Sequence, residues 1–274
     1  MYWLPDPDLY KPWLRSRIRD GRGVGQGVHY KGWFNVRDVP SRGNAHVYWG
    51  TKIPRQFHLL SDPEAIRFLQ HERDPSVLDI LDNLPIFDID WTVDACVFLG
   101  LRHRYEDGYP APFTLDFVVK REVEKSALYF AESIKVPEDA ADEDIRLRLS
   151  VESNWCRVRP KIPYELIDTA PYFDATRSKD THKRLLSTLE FMRAWHLLHY
   201  EPNTQRELRF ERAFAKQYER NMPLEELNRN IARAMRVPVS LVSDMFRFCS
   251  WHDRIPVSLK HPLALHLPVV LRQS

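Results

Sequence analysis

Two apolar runs separated by a short polar segment form the clearest pattern in the chain. Residues 113–119 (Phe-Thr-Leu-Asp-Phe-Val-Val) and 128–136 (Leu-Tyr-Phe-Ala-Glu-Ser-Ile-Lys-Val) are rich in aromatic and β-branched side chains, which favour strands. The first run carries Asp116, and the second carries Lys135 near its end. We predict a hairpin that places Asp116 and Lys135 on neighbouring strands.

A helical pattern begins upstream, at Ser61. Serine is a good N-cap residue, an aspartate and a proline fill the first turn, and Glu64 stands three residues after the cap, as in a capping box. Apolar residues then recur at helical spacing. We predict a helix over residues 62–72, with Glu64 in its first turn.

Weaker patterns place the remaining elements of the first two thirds of the chain. We predict a short basic helix over 11–20, strands around 33–36, 45–49, 57–60, 77–81 and 164–168, an acidic loop over 137–144 and a helix over 145–158. The pattern over 91–101 is ambiguous. Strand, strand, helix, strand over 113–168 is typical of an α/β core.

The last hundred residues favour helices. We predict a linker over 171–180, followed by helices at roughly 181–199, 204–219, 223–235 and 239–250. The last two helices have helix-turn-helix spacing, and the apolar runs 255–259 and 265–271 suit the strands of a β-wing. The predicted fold class is α/β: a restriction-endonuclease-like PD-(D/E)xK core in residues 1–172, followed by an all-α or winged-helix-like domain in residues 173–274.

Composition adds a charge asymmetry to this picture. Hydrophobic residues make up 43% of the 274 and charged residues 28%, values typical of soluble globular proteins. The net charge is +6 over residues 1–55, −11 over 56–174 and +7 over 175–274. An acidic middle between basic flanks suits a metal-binding nuclease core with DNA-contacting ends, although an unevenly charged surface has the same pattern.

Neither the cysteines nor the apolar runs indicate an exported or membrane protein. Three scattered cysteines, an odd number, predict neither a disulfide framework nor a zinc site. No run approaches the roughly 20 apolar residues of a membrane helix, and the first residues do not have the pattern of a signal peptide. We therefore expect a cytoplasmic protein that does not act in a membrane.

Glu64, Asp116 and Lys135 are the candidate catalytic residues. Each has an ordinary structural explanation taken alone: a helix first-turn acid, a strand residue and an exposed lysine. Together, an acid from a helix, an aspartate on a strand and a lysine on the next strand match a metal-dependent nuclease. Such an enzyme needs carboxylates to bind Mg²⁺ and a lysine to position or deprotonate the attacking water.

The second acidic position of this nuclease class is not filled by an acid. It lies two residues before the lysine, so that both side chains share one face of the strand, and here it is Ser133. Glu132 should point to the opposite face unless a bulge turns it inward. We expect the hydroxyl of Ser133 and the carbonyl oxygen of Ile134 to join Glu64 and Asp116 as metal ligands, with the bulge as the alternative.

Two further features leave their alternatives open. The glycine-rich run Arg19–Gly27 is a loop without a Walker A or dinucleotide motif; it is either a flexible basic loop near a DNA backbone or a linker. Four arginines near the helix-turn-helix, Arg229, Arg233, Arg236 and Arg247, are candidate phosphate contacts, although such domains also bind proteins.

Several motifs together resemble the TnsA family, the endonuclease subunits of heteromeric cut-and-paste transposases. They are 18–27 (Ile-Arg-Asp-Gly-Arg-Gly-Val-Gly-Gln-Gly), 38–43 (Asp-Val-Pro-Ser-Arg-Gly), 58–64 (His-Leu-Leu-Ser-Asp-Pro-Glu) and 77–80 (Val-Leu-Asp-Ile). The resemblance covers residues 14–170. It implies that Glu64, Asp116 and Lys135 are the family's helix acid, strand aspartate and catalytic lysine. Ser133 stands where these proteins often have glutamine.

The resemblance also implies an activity and its partners. The implied activity is nicking of the non-transferred strand at the five-prime side of transposon-end DNA. It depends on Mg²⁺, with Mn²⁺ as a substitute. A DDE-type, TnsB-like transposase makes the other cut, and an AAA+ ATPase, TnsC-like, binds the C-terminal region; the setting is the bacterial cytoplasm. The alternatives are a stand-alone restriction or repair nuclease and a non-catalytic adaptor between DNA and partners.

Overall fold

The computed structural model describes residues 10–38, 44–170 and 179–272 and divides the chain into two compact units, Met1–Pro171 and Tyr172–Ser274. The helices of the first unit are α1 (Pro12–Arg19), α2 (Asp62–Arg73), α3 (Ile89–Phe98), α4 (Pro137–Ala141) and α5 (Glu143–Val158). Its strands are β1 (His46–Trp49), β2 (Gln56–Leu59), β3 (Val77–Ile86), β4 (Tyr105–Glu106), β5 (Tyr109–Pro110), β6 (Phe113–Val123), β7 (Ser126–Lys135) and β8 (Tyr164–Asp168). Most of the predicted linker and of the 38–43 motif lies outside the described residues.

A mixed four-stranded sheet forms the centre of the first unit. Its order is β3-β6-β7-β8, with β7 and β8 parallel and the other pairs antiparallel. Glu124 and Lys125 connect β6 to β7 with φ angles of 49° and 67°, as in the tight turns whose twist matches a hairpin. The predicted hairpin is confirmed, and so is the α/β class.

Helices cover both faces of this sheet. Val118, Ala131, Val151 and Trp155 belong to one apolar cluster, which joins β6 and β7 to α5. On the other face α2 packs against β6, where the His71 ring meets the Phe117 ring edge-on at 5.7 Å between centroids. Because neighbouring residues of a strand alternate between faces, the two faces of β6 and β7 contact different helices.

The glycine-rich run packs against β3, so the linker alternative is wrong. A Cβ added to Gly23 would lie 2.3 Å from the side chain of Pro85. The backbone N–H of Gly27 donates a hydrogen bond to Asp79 Oδ2 at 2.9 Å. Gly23 also has a φ of +71°, a conformation that glycine adopts at little cost. The run is therefore a fitted loop with a fixed position on the sheet.

Two local predictions differ from the structure, and one segment that the sequence leaves open is assigned by it. Residues 33–36 form no strand. The buried Trp33 packs beside Leu14 and Ile18, and its backbone N–H donates to the carbonyl of Asn83 at 3.1 Å. The ambiguous 91–101 segment lies mostly in α3. The expected loop after residue 136 begins with the short α4, because Pro137 at its first position suits a helix start.

Four helices make up most of the described part of the second unit: α6 (Lys179–Leu197), α7 (Thr204–Gln217), α8 (Leu224–Met235) and α9 (Val239–Trp251). Arg236, in the left-handed conformation, ends α8 and turns the chain toward α9, which confirms the helix-turn-helix spacing. Among the described residues, the two apolar runs beyond α9 are joined to each other by a single bridge, Val257–Leu271, and the second run also bridges Pro223 through Pro268. The prediction of two wing strands is therefore wrong; prolines such as Pro256 lack the N–H that a ladder needs.

In the described parts of the chain, every helix is too short or too polar to cross a membrane.

Candidate active site

Asp116 and Lys135 are in direct contact where β6 begins and β7 ends. Lys135 Nζ donates to Asp116 Oδ2 at 2.8 Å and to the carbonyl oxygen of Ile134 at 3.0 Å. The same carboxylate oxygen accepts the backbone N–H of Ile134 at 2.6 Å. Hydrogen bonds to a charged group are stronger than neutral ones, so the Asp116 carboxylate is held firmly at this end of the hairpin.

Glu64 is buried in the first turn of α2. Its backbone N–H donates to Ser61 Oγ at 3.3 Å, and its carboxylate accepts the Ser61 hydroxyl at 2.9 Å and the N–H of Leu60 at 2.8 Å. The Ser61 cap is confirmed, whereas the Glu64 carboxylate accepts the N–H of Leu60 and the Ser61 hydroxyl. Only 9% of Glu64 is exposed, so the carboxylate belongs to the interior of the unit and is not a solvated helix acid.

Glu64, Asp116 and Lys135 lie close enough to influence one another's charge. Burial, and then the negative charge of Asp116, raise the pKa of Glu64, while Lys135 lowers it. Burial lowers the pKa of Lys135, but the carboxylates of Asp116 and Glu152 outweigh burial and hold that pKa above its ordinary value. The structure therefore brings together three residues from separate segments, and Lys135 is a protonated cation at neutral pH.

Glu132 faces away from this site, as strand alternation predicts. Its carboxylate accepts hydrogen bonds from Arg67 at 2.6 and 2.8 Å and from Arg121 at 2.8 Å, and His71 Nε2 lies 2.8 Å away. Burial alone would raise the pKa of Glu132, but His71 and Arg67 lower it to about 2. The alternative in which a bulge turns Glu132 toward the metal is wrong.

Ser133 shares its face with a carboxylate that the sequence reasoning missed. The Ser133 hydroxyl donates to Glu152 Oε2 at 2.7 Å, and the Tyr164 hydroxyl donates to the same oxygen at 3.2 Å. Glu152 comes from α5 and is 8% exposed. Burial, and also Asp116, raise its pKa to about 7, although Lys135 opposes them. The sequence does contain a signal for this carboxylate: Glu152 falls on the apolar face of the helix predicted over 145–158, where a charged residue is unusual.

The oxygen atoms at this site suit a hard divalent cation. Mg²⁺ prefers carboxylate and carbonyl oxygens and keeps several waters, and Glu64, Asp116 and Ile134 supply such oxygens. A cation there would relieve the repulsion that raises the pKa of Glu64. Within the ranges that the structure describes, no three His, Cys, Asp or Glu side chains form a ready-made metal cluster, so water would complete the coordination.

Removing the Glu152 charge should change how stability depends on pH. A carboxyl group whose folded pKa exceeds its unfolded value of about 4.5 destabilises the protein as pH rises between the two values. Glu152→Gln keeps an oxygen that can accept both hydrogen bonds and cannot ionise. We expect the variant to gain stability relative to the wild type between pH 5 and pH 8, in thermal unfolding. An equal difference at both pH values would contradict this.

Two of the helix-turn-helix arginines already form ion pairs within the second unit. Arg247 pairs with Asp244 at 3.0 Å and lies over the ring of Phe191. Arg229 pairs with Glu225 at 3.3 Å and is half-exposed. Arg247 therefore stabilises the packing of α9, and its role as a phosphate contact stays a prediction.

Fold and site together define a mixed α/β protein with a lysine–carboxylate site at one end of a hairpin. No family model matches the chain. The chain is similar to the transposon Tn7 transposition protein TnsA of Escherichia coli, with 38% identity over 106 residues. That stretch is 39% of this chain and 38% of the Tn7 protein, so the similarity covers well under half of each.

Proposed function

We propose that this chain is a Mg²⁺-dependent DNA endonuclease of the PD-(D/E)xK type. It would act as the subunit of a transposase that cuts the non-transferred strand at the five-prime side of transposon ends. The observation that carries the proposal is the meeting of Glu64, Asp116 and Lys135 at one end of the hairpin. The partial identity with a Tn7 transposition protein supports the setting in transposition.

Glu64 and Asp116 would hold one or two Mg²⁺ ions, with the carbonyl of Ile134 and the hydroxyl of Ser133 as further oxygen ligands. When bound, Mg²⁺ would neutralise charge on the scissile phosphate and make a water molecule more acidic. The chain's own contribution is positional. The hydrogen bonds from Leu60, Ser61 and the Ile134 backbone keep the two carboxylates in place. The Lys135 ammonium, which contacts Asp116 Oδ2 and the Ile134 carbonyl oxygen, would shift to make room for the ion.

We propose that Lys135 acts as a cation. In the metal-free site the carboxylates around it keep its pKa above the ordinary value. An ammonium group on the Asp116 carboxylate can orient the attacking water and stabilise the charge that develops on the phosphate. This favours one of the two roles that the sequence leaves open for the lysine.

Glu152 would position Lys135 from the other side. Its hydrogen bonds to Ser133 and Tyr164 place it on the same face of β7, where its charge contributes to the pKa of Lys135. In this way Ser133, at the second acidic position, connects β7 to Glu152 of α5. Glu152 would thus supply the carboxylate that other members of this nuclease class carry on the strand.

The partners follow from the same proposal. A DDE-type, TnsB-like transposase would cut and join the transferred strand, and an AAA+, TnsC-like ATPase would activate the complex. A reconstituted reaction with these proteins, Mg²⁺ and a plasmid carrying transposon ends tests this, and excision that depends on this chain is expected. Efficient cutting of plasmid by this chain alone would indicate a stand-alone nuclease instead.

Metal binding should appear as stabilisation without any DNA. A ligand present at about 100 times its Kd stabilises the folded state by about 2.7 kcal/mol, and we expect Mg²⁺ to raise the melting temperature accordingly. Glu64→Gln and Asp116→Asn should lose most of this rise, because each removes a charged ligand. Glu165→Gln, which changes an exposed acid on β8, should keep it. An unchanged Mg²⁺ shift in both site variants would exclude these residues as ligands.

A further inference from the structure

A cavity of about 590 Å³ lies in the first unit, and its lining does not include Glu64, Asp116 or Lys135. Four cationic side chains line it, those of Arg22, Lys31, Arg37 and Arg55, and we call it the cationic cavity. Asp20 is the single acid among its lining residues. The buried ring of Tyr30 also contributes to its wall.

The four cations differ in how far they are already neutralised. Arg55 is buried and pairs with Asp82 at 2.8 Å, and Arg22 pairs with Asp38. The Lys31 side chain is 59% exposed; its Nζ lies 3.5 Å from Asp20 Oδ1 and donates to the Asp20 backbone carbonyl at 2.7 Å.

Arg37 is also exposed, and within the described ranges it has no recorded ion pair. Arg37 and Lys31 are therefore the more accessible cations: Arg37 is exposed, and the ion pair of Lys31 with Asp20 is a surface contact between two half-exposed side chains.

The fitted glycine loop holds the wall of this cavity in position. Arg22 and Lys31 are partners in a parallel β-bridge, and the N–H of Gly23 donates to the Lys31 carbonyl at 2.7 Å. A Cβ added to Gly32 would lie 2.9 Å from Asp82 Oδ2. The backbone on both sides of Lys31 is thus fitted closely to its surroundings. Arg22 and Lys31 are therefore held side by side before a ligand binds, which keeps the entropy cost of ordering them on binding small.

We propose that the cationic cavity binds backbone phosphates of DNA. Arginine and lysine side chains are the usual phosphate ligands, and residues 1–55 carry a net charge of +6. Val28 and Val47, half-exposed and also lining the cavity, suit contact with a sugar face. The site shares with the proposed function the premise that DNA is the ligand, and it does not depend on the cleavage chemistry.

The test is the salt dependence of binding to duplex DNA without divalent metal. Each phosphate contact contributes about −0.9 to the slope of log K against log salt concentration. Removing two cations, in Lys31→Ala with Arg37→Ala, should therefore reduce the slope by about 2. Arg146→Ala with Arg157→Ala, which removes two exposed charges from α5, is the matched control and should change it less.

An equal loss of slope in both double variants, or none in the first, would overturn the proposal. So would a failure of the wild-type protein to bind duplex at low salt. The slope is measured without divalent metal, where no cutting is expected, so it does not depend on the cleavage assignment. A failure of the cleavage assignment is therefore distinguishable from a failure of this site.

A labelling experiment gives a second measurement that does not depend on removing charges. The three native cysteines are buried, so a single new thiol is selectively reactive. Duplex DNA should protect Val28→Cys from a thiol reagent and leave Val97→Cys, whose position is 74% exposed on α3, reactive.

Protection of Val28→Cys by inorganic phosphate or a free mononucleotide, and not by duplex, would show a small-anion site and overturn the proposal. Absence of protection by any of the three would overturn it as well.

Discussion

Asp116→Ala and Lys135→Ala are each expected to abolish the five-prime cut while leaving the protein folded and able to join its partners. Asp116→Ala would remove the carboxylate that contacts both the Lys135 ammonium and the Ile134 amide. Loss of a group that acts in proton transfer or charge stabilisation typically costs a factor of about 10² to 10⁴ in rate. The measurement is the rate of strand cutting at labelled transposon ends.

The products should change with the rate. If the partner transposase still joins its own strand, the reaction should shift from excision to co-integrate formation. Glu122→Gln, an exposed acid on the same strand as Asp116, is the matched control and should excise normally. Clean excision by either site variant would contradict the assignment and favour the adaptor alternative.

Glu132→Gln is expected to lower the free energy of unfolding by about 3–5 kcal/mol, the usual cost of breaking a buried ion pair from one side. The neutral amide would leave Arg67 and Arg121 without the carboxylate that both contact. Urea unfolding measures the loss. Glu165→Gln is the control: Glu165 is paired in register with Glu132 but exposed, and its loss should cost less than about 0.5 kcal/mol.

The pH dependence of that loss follows from the lowered pKa of Glu132. A folded pKa of about 2 lies below the ordinary value of 4.5, so the ionised group stabilises the protein above pH 4.5. This contribution is lost as pH falls from about 4.5 to about 2. The gap in stability between wild type and Glu132→Gln should therefore narrow in that range. A gap of the same size at pH 3 and pH 7 would contradict the ion-pair explanation.

Elements whose causes are local could be predicted well. Ser61 and Glu64 stand three residues apart, which is enough to predict the Ser61 cap, and the Glu64 N–H donates to Ser61 Oγ in the structure. The alternation of residues along β7 also predicted that Glu132 and Ser133 face opposite ways. The prediction of wing strands is wrong because prolines interrupt both runs. The start of α4 at Pro137 also has a local cause, which the prediction of a loop there does not take into account.

The partners of these residues could not be predicted, because they come from distant segments. Helical periodicity is enough to place Glu152 on the apolar face of α5, but its contact with Ser133 depends on how α5 packs on the sheet. Gly23 is recognisable as a turn residue, whereas its close approach to Pro85 depends on the path of the loop over β3.

The sequence by itself determined the hairpin, the cap of α2, the helices of the second unit and the candidate triad of Glu64, Asp116 and Lys135. Only the tertiary structure decided that an acid from α5 stands behind Ser133, that Glu132 belongs to an ion-pair cluster and that a cationic cavity forms beside β3. The reason is physical: periodicity and capping act over a few residues, whereas burial and charge pairing depend on which distant segments the fold brings into contact.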